Sequence, residues 1–396
     1  MNEPRGTVLV SGASIAGLAV AYWLRRHGFA VTVVEKAGGP RDGGYPIDVR
    51  GTALEVAGRM GLLPWLREAH IRSRRLTFVD AEGGQVASVH PQAIVGGVEG
   101  RDAEVPRGEL TRALHGAVSG DAEFLFGDSV DVLDEHEHGV DVTFAGGAER
   151  TFDLVVGADG LHSRVRELAF GPEQSFHHYL GYCFAGFTMP NESGLSHEGV
   201  VWNSPGKGAA LYAVRDSPYV HGFLVFARAE PPYHAYRDPE AQRDLVAATF
   251  AGHGWEIPAM VAAMRRADDL FFDTTSQIRL PRWSSGRVAL TGDAAYAPSF
   301  LTGQGTSLAL VGAYALAGAL GTHRDHGSAF AAYERQIRGF VELNQAQVGK
   351  GDAALFPTTA DALDRRNDRL RGLTALPPET GRPSHTALDL PEYAVG

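Results

Sequence analysis

The apolar residues of the first 35 positions follow a strand, helix and strand pattern. A β-branched apolar run covers residues 6–11, a glycine-containing turn follows, a helical pattern covers 18–28, and a second apolar run covers 30–35. A continuous apolar run is typical of a buried strand, whereas a helix repeats its apolar face every 3.6 residues. The start of the chain is therefore predicted to form a βαβ unit.

The rest of the chain predicts an α/β domain interrupted by a β-rich segment. Helices are predicted at 52–69, about 107–119, 239–251, 258–267, 306–320 and 327–349. Strands are predicted at 76–80, 85–90, 123–130, 139–144, 153–158 and 287–292, and strand-like runs broken by turns occupy 180–228. We expect one discontinuous Rossmann-type domain with an inserted antiparallel β-sheet domain and a C-terminal helix.

Composition narrows the possible partners. The chain has 396 residues, 44% of them hydrophobic, and a net charge of −11. This size allows two or three domains. An acidic chain without clustered basic residues is a poor match for nucleic acid. The uncharged run 7–24 is broken by glycines and followed by Glu35, so we interpret it as part of the βαβ unit rather than as a membrane span.

Cysteine and histidine usage excludes further classes. Cys183 is the only cysteine, so the chain forms no intrachain disulfide and has no cysteine pair for flavin disulfide chemistry. This usage fits a reducing cytoplasm. The sixteen histidines show no metal-ligand spacing, and we expect no metal site.

The first motif is the turn Gly12-Ala13-Ser14-Ile15-Ala16-Gly17 between the first strand and helix. Gly12 permits a tight turn, Gly17 permits close packing of helix and strand, and the helix N-terminus offers amides to a pyrophosphate. Ser14 replaces the middle glycine. Glu35 follows at the spacing expected for an acid that binds an adenosine ribose. The motif predicts a dinucleotide site.

Two further motifs follow in order along the chain. Asp159-Gly160 ends the apolar run Asp153-Leu-Val-Val-Gly-Ala and is followed by Ser163 and Arg166. Gly292-Asp293 ends another strand and precedes a glycine loop and a helix. Asp293 can bind a ribityl hydroxyl, and the helix N-terminus can face the flavin pyrimidine edge, where reduction builds negative charge. Together the three motifs indicate FAD.

With these motifs the sequence resembles the group A flavoprotein monooxygenases of the p-hydroxybenzoate hydroxylase type, over residues 6–350, with a compact length similar to that of the tetracycline-inactivating monooxygenases. The resemblance implies a glutathione-reductase-like FAD domain, with NADPH or NADH and O2 as cosubstrates. It also implies hydroxylation of an aromatic or polyketide-like small molecule through a flavin C4a-hydroperoxide. Nicotinamide would bind transiently to the flavin domain, which accounts for the absence of a second fingerprint.

The resemblance also assigns residues. Glu35 would hold the adenosine, Arg107 the ribityl-phosphate region and Asp293 the ribityl chain, whereas Arg41 would contact NADPH and Asp48 the flavin. The whole predicted cofactor set is Gly12, Ser14, Ile15, Gly17, Glu35, Lys36, Arg41, Asp48, Arg107, Asp159, Asp293, Gly303, Gln304 and Gly305. Three positions depart from the family pattern. Tyr296 replaces a usual histidine, Ser307 a common asparagine and Gly312 a frequent aspartate.

The predicted domains place the substrate between flavin and inserted sheet. The FAD domain would comprise 1–75, 100–175 and 280–350, the β-rich substrate domain 76–99 and 176–279, and a C-terminal helix and tail 351–396. Because ligands bind at domain interfaces, aromatic residues of the sheet are candidates to line the pocket. They are Phe184, Trp202, Tyr212 and Phe223. Pro298 is predicted to border the reactive edge of the flavin, and no acid–base triad is visible.

Several alternatives stay open at this point. Epoxidation and Baeyer–Villiger insertion use the same flavin chemistry as hydroxylation. A flavin halogenase would carry a Trp-x-Trp segment, which the sequence lacks, and a geranylgeranyl-reductase-like enzyme would not consume O2. A noncatalytic FAD- or drug-binding protein is the alternative from a different class. The sequence does not distinguish a monomer from a homodimer.

Overall fold

A computed structural model describes residues 4–40, 43–91, 94, 102–236, 238–348, 355–373 and 382–394. Its strands are β1 (Thr7–Ser11), β2 (Ala30–Glu35), β3 (Pro46–Val49), β4 (Arg75–Val79), β5 (Gln85–Val89), β6 (Ala103–Pro106), β7 (Glu123–Phe126), β8 (Val130–His136), β9 (Gly139–Phe144), β10 (Glu149–Phe152), β11 (Leu154–Gly157), β12 (His177–Pro190), β13 (Glu198–Ser204), β14 (Lys207–Ala213), β15 (Tyr219–Ala227), β16 (Phe271–Ile278), β17 (Ser284–Ser285) and β18 (Val288–Leu290). Its helices are α1 (Ile15–Arg26), α2 (Thr52–Arg59), α3 (Leu63–Ala69), α4 (Arg107–Gly116), α5 (Arg164–Phe170), α6 (Pro239–Thr249), α7 (Ile257–Arg266), α8 (Asp293–Tyr296), α9 (Gly305–Thr322), α10 (His326–Gln345) and α11 (Ala360–Arg371).

A six-stranded sheet forms the centre of the nucleotide-binding part. Its strand order is β17-β18-β11-β1-β2-β7, and every pair is parallel except the edge pair β17–β18. Val8, Leu9 and Val10 in β1 are fully buried, because elements cover both faces of a parallel sheet. The strands that carry the three motifs, β1, β11 and β18, are adjacent. Their carboxyl ends therefore meet at one edge of the sheet.

The structure corrects the predicted helix at 52–69. This segment forms two helices, α2 and α3, because the intervening Gly61 adopts a positive φ of 75° and Pro64 lies in the first turn of α3. The structure also contains strands that the pattern did not predict, namely β3, β6, β8, β10, β16 and the two-residue β17. In β16 the residues Thr274 to Gln277 are buried but polar, so hydrophobic periodicity gave no signal there.

A seven-stranded sheet forms the second layer, with the order β16-β12-β15-β14-β13-β4-β5. All its pairs are antiparallel except β4–β13. One face packs on α6 and α7, with Trp202 and Phe226 against Val246 and Met260. Because side chains alternate across a strand, Phe184 faces the opposite way, and this second face meets Leu301 of the nucleotide-binding part.

The short antiparallel pair β3–β6 lies beside the nucleotide-binding core. Ile47 is opposite Val105, and Asp48 is opposite Glu104 in the register. Val105 is fully buried in the core, so the alternating residues Asp48 and Glu104 lie on the other face of this pair. That face carries two of the charged groups of the site described below.

Helix α9 and the C-terminal segment complete the nucleotide-binding part. Within the described ranges, α9 is the one helix that is long and apolar enough to span a membrane, but 83% of it is buried in the protein, as expected for a core helix. Residues 382–394 run back across this part. Their Tyr393 ring lies against Gly318 of α9, where a Cβ atom would come within 2.0 Å of the ring.

Candidate cofactor and substrate site

The turn between β1 and α1 has the shape of a pyrophosphate cradle. Gly12 has a φ of 105°, and a Cβ atom there would lie 2.5 Å from the carbonyl oxygen of Ala158. A Cβ atom on Gly17 would lie 1.8 Å from the carbonyl oxygen of Gly12. Ser14 is the N-cap residue of α1, but its side chain does not cap the helix. The first-turn amides, including that of Ile15, are therefore left for an anion.

The Glu35 carboxylate marks the end of the turn where an adenosine would bind. It accepts hydrogen bonds from the backbone N–H groups of Ala13 and Ala37, both at 2.9 Å. Glu35 is thus fixed beside the helix N-terminus at the carboxyl end of β2. The neighbouring Lys36 is exposed, and the predicted NADPH contact Arg41 lies outside the described residues.

Arg107 joins α4 to the fingerprint turn. Its Nη2 donates a hydrogen bond to Ser14 Oγ at 3.0 Å, and its side-chain carbons lie close to Gly44, where a Cβ atom would be 3.3 Å away. Ser14, which departs from the glycine of the fingerprint, therefore binds the arginine that the resemblance assigns to the ribityl-phosphate region. The guanidinium adds positive charge beside the helix N-terminus.

Asp293 lies just beyond the carboxyl end of β18 and directly after Gly292, whose φ is 62°. The two motifs meet here, because a Cβ atom on Gly292 would lie 2.7 Å from the Cβ of Ala16. Asp293 is accessible to solvent, yet desolvation by the surrounding protein raises the pKa of its carboxyl group, against the opposing effect of Arg107. A group that is both accessible and desolvated is expected at the bottom of a cleft.

The loop from Pro298 to Gly305 lies beside Asp293 and Asp48. A Cβ atom on Gly303 would lie 3.5 Å from Asp48 Oδ2, and one on Gly305 would lie 3.9 Å from Asp293 Oδ1. Asp48 is itself paired with Arg50 at 2.7 Å. The structure thus brings Asp48, Asp293 and the glycine loop together, although they come from distant segments of the sequence.

Pro298 and Gln304 in this loop are both buried. The side-chain nitrogen Nε2 of Gln304 lies 3.1 Å from Nε2 of His385, so Gln304 contacts the C-terminal segment. Directly after Pro298, Ser299 adopts a φ of 85°. This conformation is rare for a residue with a side chain and recurs at functional loops.

Sequence reasoning missed Gln277, which anchors this loop. Gln277 lies in β16 and is fully buried. Its Nε2 donates to the carbonyl oxygens of Pro298 at 3.1 Å and Gln345 at 2.7 Å. A buried glutamine in a polar strand gives no periodic signal, so only the tertiary structure shows that it ties the second sheet to the loop.

The Asp159-Gly160 motif has a structural role in the present geometry. Asp159 accepts hydrogen bonds from the backbone N–H groups of Arg164 at 2.8 Å and Val165 at 3.1 Å, and from the Ser163 hydroxyl. Its carboxylate therefore caps α5. Arg166 is fully buried and donates to the carbonyl oxygen of Ala294, which holds the Asp293 turn against this motif.

Two of the departures from the family pattern explain each other. The Tyr296 hydroxyl is buried between Thr291 Oγ1 at 3.0 Å and the Tyr333 hydroxyl at 3.1 Å. A Cβ atom on Gly312 would lie 1.7 Å from that hydroxyl, so tyrosine at 296 requires glycine at 312. At the third departure, Ser307 Oγ accepts a hydrogen bond from the backbone N–H of Arg50 at 3.2 Å.

An aromatic cluster lies between the loop and the seven-stranded sheet. It consists of Tyr45, Phe184, Phe223, Phe271 and Phe300. The Phe184 and Phe300 rings stack with centroids 4.8 Å apart, and the Tyr45 ring lies 5.8 Å from Phe223 and 5.9 Å from Phe300. Two predicted substrate residues, Phe184 and Phe223, therefore lie at the junction of the two layers.

The structure treats the other two predicted substrate residues differently. Tyr212 lies on the cleft side and donates a hydrogen bond to Glu104 Oε1 at 2.6 Å. Trp202 is fully buried on the opposite face, donates to the carbonyl oxygen of Ala81, and packs edge-on against His253. We therefore withdraw Trp202 from the candidate substrate contacts.

These observations fit FAD. The cradle formed by Gly12 and Gly17 has no room for side chains, and the N-terminus of α1 has no side-chain cap. Asp293, at the carboxyl end of the neighbouring strand β18, has a desolvated carboxyl group. Glu35, Ser14 and Arg107 would hold the adenosine and pyrophosphate portions, while Asp293, Asp48 and the glycine loop would hold the ribityl chain and the ring.

Comparison with known proteins agrees with this site. Residues 5–342 match the family described as FAD binding domain. An uncharacterised protein of Mycobacterium tuberculosis is 46% identical over 361 residues, which cover 91% of this chain and 97% of the relative. A flavin-dependent monooxygenase from an unknown prokaryotic organism is 36% identical over 390 residues and 98% of both chains.

Among solved structures, the crystal structure of tetracycline destructase Tet(55) is similar, with a TM-score of 0.84 and 34% sequence identity. The match covers 99% of this chain and 100% of that chain. The likeness extends over the cofactor part, the inserted sheet and the C-terminal segment alike.

Proposed function

The chain belongs to the family of FAD-dependent monooxygenases, and from that premise we propose that it hydroxylates an aromatic or polyketide-like small molecule through a flavin C4a-hydroperoxide, using NADPH or NADH and O2. The observation that carries the proposal is the aromatic cluster beside the loop from Pro298 to Gly305. It offers a flat apolar substrate a stacking surface at the place where the reactive edge of the cofactor would lie.

The likeness to a tetracycline destructase supports a polycyclic substrate with phenolic rings. The aromatic cluster presents apolar rings, which suits a bulky, mostly neutral ligand. The substrate domain is proposed to comprise 76–99 and 176–279, as expected from the sequence, because β4, β5 and β12 to β16 form one sheet.

Bound FAD supplies hydride acceptance and activation of O2, and the protein supplies the surroundings. The buried Pro298 loop and the rings of Phe184 and Phe300 exclude water from the reactive edge. Nicotinamide is proposed to bind transiently on the flavin part, since the described residues contain one dinucleotide turn, at Gly12.

The test is to purify the protein with its FAD and follow the flavin absorbance. We expect NADPH or NADH to bleach the flavin, and air to restore its colour. Aromatic compounds, with tetracycline as the first probe, are then screened for faster NADPH oxidation, O2 uptake and a product mass gain of about 16 daltons. All three monooxygenations add one oxygen atom, so the structure of the product distinguishes them. Ring expansion to a lactone would favour Baeyer–Villiger insertion, and an epoxide would favour epoxidation.

Two outcomes would contradict the proposal. NADPH oxidation without O2 consumption would indicate a reductase. A flavin that stays oxidised with both nicotinamides and every probe would indicate a noncatalytic FAD- or drug-binding protein, for which the same cleft would act as the binding site.

A further inference from the structure

The C-terminal segment 382–394 reaches the cofactor site through one buried residue, His385. The ring nitrogen Nε2 of His385 lies 3.1 Å from Nε2 of Gln304 in the glycine loop. The backbone of His385 meets a second segment, because a Cβ atom on Gly51 would lie 2.1 Å from the His385 carbonyl oxygen. Gly51 has a φ of 54° and is the N-cap residue of α2. One residue of the C-terminal segment therefore contacts both the glycine loop and the turn before α2.

These two segments meet at a group that is assigned to the flavin. Arg50, which directly precedes Gly51, pairs with Asp48 at 2.7 Å. Gly303, which directly precedes Gln304, has its Cβ position 3.5 Å from Asp48 Oδ2. The link through His385 therefore joins, from the C-terminal segment, the two segments that come together at Asp48.

Hydrogen bonds on both sides of His385 hold it in this place. Asn344 of α10 donates from Nδ2 to the carbonyl oxygen of Ser384 at 3.0 Å. Thr52 of α2 donates from Oγ1 to the carbonyl oxygen of Leu388 at 3.1 Å. Because the backbone is bound before and after His385, the position of its ring is fixed from both directions.

The contact between His385 and Gln304 leaves one polar atom of each side chain unused. Both side chains are buried, and neither Gln304 Oε1 nor His385 Nδ1 has a hydrogen-bond partner among the described residues. Turning the amide by 180° exchanges its oxygen and nitrogen, so the ring can either accept a hydrogen bond from the amide or donate one to it. In both arrangements one amide atom of Gln304 has no protein partner. A buried atom of this kind is expected beside a bound ligand.

The surroundings of His385 keep its ring neutral. Burial and the nearby positive charges of Arg50 and Arg382 lower the pKa of His385 to about 4. A neutral imidazole carries one donor and one acceptor, so a single amide group can match either of them. The link to Gln304 is therefore a hydrogen bond between neutral groups, and it adds no charge beside the flavin.

We propose that His385 is a positioning residue for the flavin, which through Gln304 holds the glycine loop and the start of α9 against the pyrimidine edge of the ring. The inference rests on the proposed function for the position of the flavin. Two-electron reduction builds negative charge at that edge, and the first amides of α9 stabilise this charge when they lie close to it. His385 therefore favours reduced over oxidised FAD and raises the midpoint potential of the cofactor.

The experiment compares two polar substitutions of His385 that differ in reach. In His385→Gln the amide lies at the depth of the imidazole Nε2 and can still bond to Gln304, whereas in His385→Asn the shorter amide stops near the position of Nδ1. Midpoint potentials of the FAD-loaded proteins are measured without oxygen by equilibration with a reference dye, with dithionite as the reductant. We expect His385→Asn to bind reduced FAD about tenfold more weakly relative to oxidised FAD, which lowers the two-electron potential by about 30 mV. His385→Gln should keep the potential of the wild type.

Two controls separate this effect from a loosening of the C-terminal segment. Tyr393→Phe removes the hydrogen bond from the Tyr393 hydroxyl to Gln336 Oε1 in the same segment. Thr386→Ala changes the exposed neighbour of His385. Both controls should keep the potential of the wild type, whatever their free energy of unfolding in urea. The FAD content of each purified variant verifies that it folds.

An unchanged potential in His385→Asn overturns the inference, and so does an equal shift in His385→Gln or in Tyr393→Phe. Gln304→Met breaks the same link from the loop and takes the place of His385→Asn if that variant does not retain FAD. An unchanged potential in Gln304→Met overturns the inference as well. The proposed function fails separately, when NADPH does not bleach the flavin or air does not restore it, because dithionite reduces the flavin independently of NADPH.

Discussion

Gly17 has no side chain because the carbonyl oxygen of Gly12 occupies the space beside it. A Cβ atom would lie 1.8 Å from that oxygen, far inside van der Waals contact. The close approach lets α1 begin directly over the end of β1, with its first amides pointing at the pyrophosphate position. A single missing methyl group therefore controls both the packing of the βαβ unit and the shape of the cofactor cradle.

We predict that Gly17→Ala lowers the free energy of unfolding by about 1–3 kcal/mol, because helix and strand must separate. FAD affinity should fall as well, since the cradle widens. Denaturant unfolding and quenching of flavin fluorescence measure the two effects. Gly116→Ala is the control, because nothing lies within 4 Å of its position in the last turn of α4. The free energy of unfolding of Gly116→Ala should change by less than about 1 kcal/mol. Equal losses of stability in the two variants would show that the contact of Gly17 with Gly12 is not the cause.

At the scale of elements, α8 and α9 are coupled through Tyr296 and Gly312. The tyrosine hydroxyl occupies the volume that any side chain at position 312 would need. It is also held by Thr291, which directly follows β18, and by Tyr333 of α10. A change in one residue of this buried group therefore alters the cost of a change in another.

A double-mutant cycle tests this coupling. Gly312→Ala should destabilise the protein by about 1–3 kcal/mol through overpacking, although alanine favours a helix. Tyr296→Phe should cost about 1 kcal/mol through its lost hydrogen bonds. In the Tyr296→Phe background, Gly312→Ala should cost at least about 1 kcal/mol less than in the wild type. Additive losses in urea unfolding would show that the two positions are independent.

The sequence predicted the local parts of the site and not the contacts between distant ones. The fingerprint at Gly12, the turn at Asp293 and the glycine loop are short motifs whose geometry follows from nearby residues, and the predicted fold class and family are confirmed. Gln277 and Glu104 were missed, because their roles depend on strands that pair across the chain. Their polar side chains gave no periodic signal.

Strand alternation explains why the predicted substrate residues lie on two different faces of the seven-stranded sheet. The pattern places Phe184 and Cys183 on opposite faces of β12, but it does not say which face meets the cofactor part. Helices α6 and α7 cover one face and thereby bury Trp202. The other face is left to Phe184, Tyr212 and Phe223. This choice is made by tertiary packing, which single strands cannot reveal.

At the scale of the whole molecule, His162 connects the cofactor part to the seven-stranded sheet. It follows the Asp159-Gly160 motif, and its two ring nitrogens lie 2.9 Å from Glu173 Oε1 and 3.3 Å from Asp273 Oδ1 of β16. The ring is desolvated, but the hydrogen bonds to Asp273 and Glu173 outweigh this effect and raise the pKa of His162 to about 10. The protonated ring donates to both carboxylates.

This arrangement predicts how stability depends on pH. A histidine whose pKa is raised in the folded state stabilises the protein fully below its unfolded pKa of 6.5, and the contribution disappears as the pH rises through about 10. The difference in unfolding free energy between the wild type and His162→Gln should therefore be largest near pH 6 and decline steadily toward pH 10. Urea unfolding of the FAD-loaded protein at each pH measures it.

Salt and a control histidine distinguish this link from a general pH effect. The His162 side chain is 45% exposed, so the difference should also shrink at high ionic strength, where exposed charge pairs are screened. His138→Gln, at an exposed turn between β8 and β9, removes a histidine without touching this link and serves as the matched control. If the His162→Gln difference instead stays constant from pH 6 to pH 10, the pKa of the ring is the same in the folded and the unfolded protein. The two layers are then held together by apolar contacts such as those of Phe184 and Leu301.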